Sequence, residues 1–144
     1  MAKSVKLQVL TPARMFYTGD IEMVIVKTPS GEEGFLANHA WSCKLLVPGE
    51  LWIQEAGAKG FKVAALAGGF IDIKEDFIIY TDAAEWPEEI DTARAASHME
   101  EKKLWLTEHP DDAPDEIAGA RISVTKQKTR IGVAAGGARR RRTT

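Results

Sequence analysis

Cysteine is almost missing from this chain: Cys43 is the only one in 144 residues, so no internal disulfide can form and no paired-cysteine metal motif exists. Long apolar runs are missing too. The longest stretch without Lys, Arg, Asp or Glu is the ten residues 34–43, half of the roughly 20 needed for a membrane-spanning helix. The N-terminus alternates apolar and polar residues (Val5, Leu7, Val9) and lacks an apolar core with a cleavage site, so no signal peptide is read. The chain reads as soluble and cytosolic-facing. No phosphate-cradling glycine motif and no HExxH are present. His39, His98 and His109 are scattered and read as surface or loop residues, and Cys43 as a buried, inert thiol. No catalytic residue and no metal ligand is assigned.

The most informative absence is that of acids from the C-terminal end. All 21 Asp and Glu lie in residues 1–116, beside 11 of the 19 Lys and Arg; residues 117–144 hold the other 8 basic residues, including four arginines at 139–142. The formal net charge of −2 therefore averages an acidic body and a basic end. With 44% hydrophobic residues the chain is not a disordered one, and its length suits one domain or a small domain with an appendage.

Residues 4–82 carry short apolar runs of period two, separated by Gly and Pro: Val5/Leu7/Val9, Ile21/Met23/Ile25, Leu45–Val47, Leu51/Ile53, Phe61/Val63/Ala65, then 70–73 and 77–80. No helical interval lies between them, which predicts an antiparallel sandwich or barrel. The texture changes at Trp86. Pro87 suits a first helical position, with Glu88, Glu89 and Asp91 at the positive end of a helix expected over 88–108. The stretch 109–114 breaks it, and Asp115 is placed to cap a second helix, completing a helical hairpin. β-Branched Ile122, Val124, Thr125 and Thr129, with Gly119, leave that second element balanced between helix and loose strand. The domain limits are read as 1–86 for the β part, 87–131 for the hairpin and 132–144 for a Gly/Arg-rich tail.

Seven short motifs occur in register: Leu10-Thr11-Pro12, Gly31-Glu32-Glu33-Gly34, His39-Ala40, Pro48-Gly49, Gly68-Gly69-Phe70, Asp82 with Glu85, and Ile90-Asp91 with Arg94-Ala95. Together they resemble the epsilon subunit of the F-type ATP synthase over residues 5 to about 108. The resemblance implies a ten-stranded antiparallel β-sandwich followed by a C-terminal α-helical hairpin. It also implies a non-catalytic rotor subunit that binds the gamma subunit, stands on the c-ring and couples its rotation to ATP synthesis. It implies further that the hairpin, when extended, inhibits ATP hydrolysis by contacting the alpha/beta head. The location implied is the cytoplasmic face of the bacterial plasma membrane, where the subunit is peripheral.

By the same resemblance, the loop with Gly31, Glu32 and Glu33, together with His39, is the expected c-ring contact. Relatives have Pro-Gly-His-Ala-Pro where this chain has Ala37-Asn38-His39-Ala40-Trp41; Trp41 either packs in place of the lost rigidity or stands out as an anchor. Some bacterial relatives bind ATP through an I-D-x-x-R-A motif, which nominates Glu85, Ile90, Asp91 and Arg94, with Lys126 and Arg130 as the nearest second-helix partners. The plainer account of Asp91 and Arg94 is a helix cap with an i,i+3 ion pair. Arg121, Lys126, Lys128 and Arg130 are the candidate contacts with acids of the catalytic head, against the plainer account of a solvated basic face. Regulatory ATP is the sole cofactor considered.

The competing function is a β-sandwich binding module with a basic nucleic-acid-binding tail. Residues 117–144 contain no aromatic residue for base stacking, so only salt-sensitive phosphate binding would remain. No nucleic-acid partner is therefore assigned.

Overall fold

The computed structural model describes residues 3–136. Nine strands form first: β1 (Val5–Leu10), β2 (Met15–Thr28), β3 (Gly31–Leu36), β4 (Ser42–Leu46), β5 (Gly49–Glu55), β6 (Lys62–Leu66), β7 (Gly69–Ile73), β8 (Phe77–Tyr80) and β9 (Ala84–Glu85). They are followed by a 3-10 turn at Pro87–Glu89 and two helices, α1 (Thr92–Glu108) and α2 (Pro114–Ala134). Hydrogen bonding runs β4-β7-β8-β1-β2-β5-β6-β9, with β3 also on β2. All pairs are antiparallel except β1 with β8.

The fourteen-residue β2 serves both layers of the sandwich. Its first half pairs with β1, from Met15 to Ile21, and its second half pairs with β3 on one edge and β5 on the other. Counted as two strands it brings the nine observed to the ten expected. The register slips between Ile21 and Met23, where Glu22 is the extra residue. A one-residue slip moves later side chains to the opposite face. Hence Ile21 is buried but Val24 and Val26, not Met23 and Ile25, continue the core. Between the layers, Leu7, Val9, Val24, Phe35, Leu51, Ile53, Ile71, Ile73, Phe77 and Ile79 are almost completely shielded from solvent. At about 1.5–3 kcal/mol for each such side chain, this core is the main stabilising term of the sandwich.

The Gly68-Gly69 pair has a steric reason. Gly69 has φ +117°, and a Cβ there would overlap the Tyr80 carbonyl oxygen of the adjacent strand. Gly31 also has positive φ (+113°) but faces open space.

Several local expectations shift. Trp86 precedes a 3-10 turn, and α1 begins only at Thr92, because Ile90 and Asp91 are extended. Asp91 caps α1 by accepting the Arg94 backbone N–H at 3.0 Å. The second helix begins at Pro114 with Ala113 at its cap position, so Asp115 lies in the first turn and is not the cap. It continues to Ala134, past the expected limit at 131; the rest of the expected tail from residue 137, with its four arginines, lies outside the described residues. Packing settles helix over strand in α2: Ala120, Gln127 and Val133 are buried and Val124 and Ile131 half-buried, a helical stripe that a strand would split between two faces. Cys43 is exposed, not buried, since it points outward from edge strand β4. Glu32 and Glu33 lie on β3 itself and not in a loop.

Gly69→Ala should cost more than the roughly 1–3 kcal/mol typical of a strained backbone position, because overlap adds to strain; Gly31→Ala should stay within that range. Urea denaturation of the two variants checks the order.

Candidate functional site

Three surfaces emerge from this architecture. The first is the outward face of the layer β4-β7-β8-β1. Cross-strand partners share a face, so Leu45, Phe70, Tyr80, Leu10 and Met15 form one row across five strands. Leu45 is 64% exposed and Met15 46%; Phe70 and Tyr80 stack at 4.8 Å and are also exposed. Just before β4, Trp41 is 66% exposed, so it stands out from the surface and does not pack in place of the lost rigidity. Beside the row is a depression of about 360 Å³ lined by Leu10, Thr11, Pro12, Gly69, Phe70 and Asp82, among others. Pieces of three motifs far apart in sequence thus meet at one place. Sequence reasoning missed this surface, although the alternation of Phe70 with buried Ile71 and of Tyr80 with buried Ile79 carried the signal.

The second surface is the seam between sandwich and hairpin. α1 packs on α2, and α2 lies against β5 and β6. Their contact is small: Ala65, Ile90 and Val133 are buried, with Val63 and Ala134 packed on them. Next to it Arg130 forms a two-point ion pair with Glu85, Nε to Oε1 at 2.7 Å and Nη2 to Oε2 at 3.1 Å, while its Nη1 donates to Gln127 Oε1 at 2.7 Å. Both charged side chains are mostly shielded, 22% and 27% exposed, so the pair is stronger than a surface ion pair. Glu85, Lys126, Gln127 and Arg130 line a cavity of about 350 Å³ floored by Ala65, Leu66 and Ala67, with Asp82 at its side. The structure therefore gathers three of the six residues nominated for nucleotide. Ile90 is buried in the apolar contact, while Asp91 caps α1 and, like Arg94, is exposed; none of these three lines the cavity.

The third surface is a groove of about 830 Å³ in which Gly31 and Glu32 face Lys128 and Thr129 of α2. Glu33 accepts the Thr28 hydroxyl at 2.7 Å and lies 3.8 Å from Lys44. His39 is exposed, its ring edge-on to Phe35 at 4.9 Å. It follows β3, so the strand's length, about 17 Å, separates it from Gly31. Arg121 is exposed on α2.

An aromatic cluster ties the linker after β9 to the sandwich. Trp86 stacks on Phe16 at 4.4 Å and meets Tyr17 edge-on at 6.2 Å. Glu89 accepts Arg14 Nη2 on both oxygens at 2.9 Å and the Trp86 backbone N–H at 2.9 Å. The Arg14 hydrogen bond, and then that N–H, hold the Glu89 carboxyl below its ordinary 4.5. Its stabilising contribution is therefore complete above the ordinary value and is lost as pH falls through the lowered one. Burial, and then the 2.7 Å hydrogen bond from its hydroxyl to Glu55, push the Tyr17 phenol far above the ordinary 10.

Two measurements check these surfaces. A double-mutant cycle of Glu85→Ala and Arg130→Ala in urea denaturation should give a coupling of about 1–2 kcal/mol. In a spectrophotometric alkaline titration, Tyr17 should keep its proton until the fold opens, and Tyr17→Phe should remove that late component. The sign follows because a raised phenol pKa stabilises the fold below pH 10 and ceases to as pH climbs through the folded value.

Comparison with known proteins agrees with this geometry. The family model for the ATP synthase, Delta/Epsilon chain, beta-sandwich domain, matches residues 4–87. An ATP synthase epsilon chain of Alkaliphilus metalliredigens is 45% identical over 107 residues, covering 72% of this chain and 78% of that relative. Another, from Caldanaerobacter subterraneus subsp. tengcongensis, is 44% identical over 108 residues, covering 72% and 77%. The fold is shared with a chain of the Euglena gracilis mitochondrial ATP synthase (OSCP/F1/c-ring), with TM-score 0.72, 21% identity, and 88% of this chain and 78% of that one covered. It is also shared with a chain of the Tetrahymena thermophila mitochondrial ATP synthase central stalk and c-ring, with TM-score 0.62, 16% identity, and coverage of 90% and 97%. With a matched sandwich over more than half its length and relatives above 40% identity, this chain belongs to the ATP synthase delta/epsilon family.

Proposed function

We propose that this protein is a non-catalytic rotor subunit of an F-type ATP synthase, coupling c-ring rotation to ATP synthesis through contacts of its sandwich. The observation that carries this reading is the apolar row Leu45–Phe70–Tyr80–Leu10–Met15, exposed at every position but half-buried Leu10, with the motif-lined depression beside it. A soluble protein keeps such a row exposed only for a partner, and we assign it to the gamma subunit. The β3 end with Gly31, Glu32 and Glu33, and the loop with His39 and Trp41, are assigned to the c-ring. The subunit is then peripheral at the cytoplasmic face of a bacterial plasma membrane; among the described residues no helix is long and apolar enough to cross one.

The hairpin is the regulatory part of this proposal. Docked on the sandwich, it is held among the described residues by a small apolar contact and the Glu85–Arg130 ion pair, a modest fastening beside the sandwich core. Released, α2 would present Arg121, Lys126, Lys128 and Arg130 to acidic surfaces of the alpha/beta head and stop hydrolysis. Two of these, Lys126 and Arg130, face the seam cavity while docked and become available only on release. ATP as a regulatory ligand is favoured by that same cavity, where Lys126 lies beside Arg130, although a triphosphate would have to compete with Glu85 for the guanidinium.

Phe70→Asp should weaken gamma binding at least tenfold, as for truncation of an apolar anchor in an interface, in co-purification with gamma and the c-ring. Deleting residues 88–144 should leave assembly intact and raise ATP hydrolysis by the assembled enzyme. Unchanged hydrolysis would remove the inhibitory role and leave the coupling role standing.

A further inference from the structure

Outside these surfaces, the aromatic cluster at Trp86 is the feature that neither the rotor contacts nor the seam accounts for. The chain between β9 and α1 touches the body of the protein at Trp86, at Glu89 and, beside Val133 of α2, at Ile90 on Ala65. Trp86 lies against the main sandwich core through Phe16 and Tyr17, with Lys62 Nζ 5.9 Å from its ring centre. Arg14, whose guanidinium is 5.1 Å from the Phe16 ring, reaches across to Glu89 on both carboxylate oxygens. The turn is closed internally by Glu89 N–H to Trp86 O at 3.0 Å and Ile90 N–H to Pro87 O at 3.3 Å. The side chains that grip residues 86–89 in this way are Arg14, just before β2, Phe16 and Tyr17 of β2, and Lys62 of β6, with the turn's own hydrogen bonds; α2 also lies near the turn, but the ring stacking and the ion pair come from the sandwich.

The hairpin, by contrast, is held to the body through α2, by Arg130 on Glu85 and Val133 on Ala65 and Ile90. Between the gripped turn and the first residue of α1 stand two extended residues, Ile90 (φ −84°, ψ 124°) and Asp91 (φ −83°, ψ 94°). Asp91 is exposed, and its side chain is spent on its own helix. The body thus ends at Ile90 and the mobile unit begins at Thr92, with little else to bend between them.

We propose that Phe16, Tyr17, Trp86, Arg14 and Glu89 form a permanent clamp that fixes residues 86–90 to the sandwich, so that the hairpin pivots as a unit at Asp91. This rests on the proposal that the hairpin leaves the sandwich, and it specifies the point about which it turns. The clamp has a second consequence. Glu85 is next to Trp86, so it keeps its position when α2 departs, and Arg130 returns to an acceptor that has not moved. A linker that peeled back to residue 84 would lose that acceptor with every excursion.

The test is residue-resolved amide exchange by NMR on the full isolated chain, which is independent of ATP hydrolysis by the assembled enzyme. Arg130→Glu combined with Val133→Asp sets like charge against Glu85 and a carboxylate in the apolar contact. Exchange across 114–134 should rise tenfold or more, on the order seen for local opening, while the Glu89 and Ile90 amides keep their protection. If those two amides quicken together with α2, the linker is held by the hairpin and the clamp is wrong. If α2 does not quicken, the seam is not the releasable fastening and the division of labour fails. In the converse variants, Trp86→Ala and the milder surface change Arg14→Gln, the Glu89 and Ile90 amides should quicken while those of β1 and β8 report an intact sandwich. Unchanged Glu89 and Ile90 amides in both would also overturn the proposal.

Discussion

The strand β2 is the constraint on which the other parts depend. It is the strand that hydrogen-bonds to β1, β3 and β5, and the slip at Glu22 lets a continuous chain serve both layers of the sandwich. Without the extra residue, Ile21 and Val24 could not both face the core, because alternation would send one of them outward. The two ends of β2 also carry function. Its start supplies Phe16 and Tyr17 to hold Trp86, and its end supplies Thr28, whose hydroxyl fixes Glu33 on the neighbouring strand.

Energetically the molecule is graded. The interior of the sandwich holds a dozen large side chains with almost no solvent contact, whereas the hairpin docks through three buried apolar residues and a shielded ion pair. Hydrophobic stabilisation scales with area removed from water, so the hairpin is the cheaper element to detach. A switch needs that inequality: two positions of one element can exchange only if neither is held by more than a few kcal/mol over the other. The small residues at the seam, Ala65, Ala67 and Ala134, keep the contact shallow and leave room for the cavity around Glu85 and Arg130. The basic character of the C-terminal end is therefore partly hidden while the hairpin is docked: Lys126 and Arg130 line the seam cavity, Lys128 borders the groove beside Gly31 and Glu32, and Arg121 is exposed.

Much of this was legible in the residues. Period-two runs marked the strands because each alternates between core and solvent, and Gly and Pro marked the turns. The family motifs supplied the order of domains and Glu85, while Arg130 was reached only as a nearest second-helix partner. Their pairing was not legible, since 45 positions separate them and only the packing of α2 on β6 brings them together. Likewise the phase of β2 after Glu22 was not legible, because a bulge leaves no mark in a run of Met, Val, Ile and Val that is apolar at every position.

By itself the sequence determined the fold class, the change from strands to helices at Trp86, the acidic body with its basic end, and the family to which the chain belongs. Those are local or cumulative properties: periodicity, propensity, charge and motif order survive in one dimension. Tertiary structure alone decided that 114–134 is a helix, that Cys43 and Trp41 are exposed, that the apolar row crosses five strands, and that Trp86 is gripped from β2. Each of those depends on which segments meet, and burial, ion pairing and strand register are set by neighbours distant in the chain.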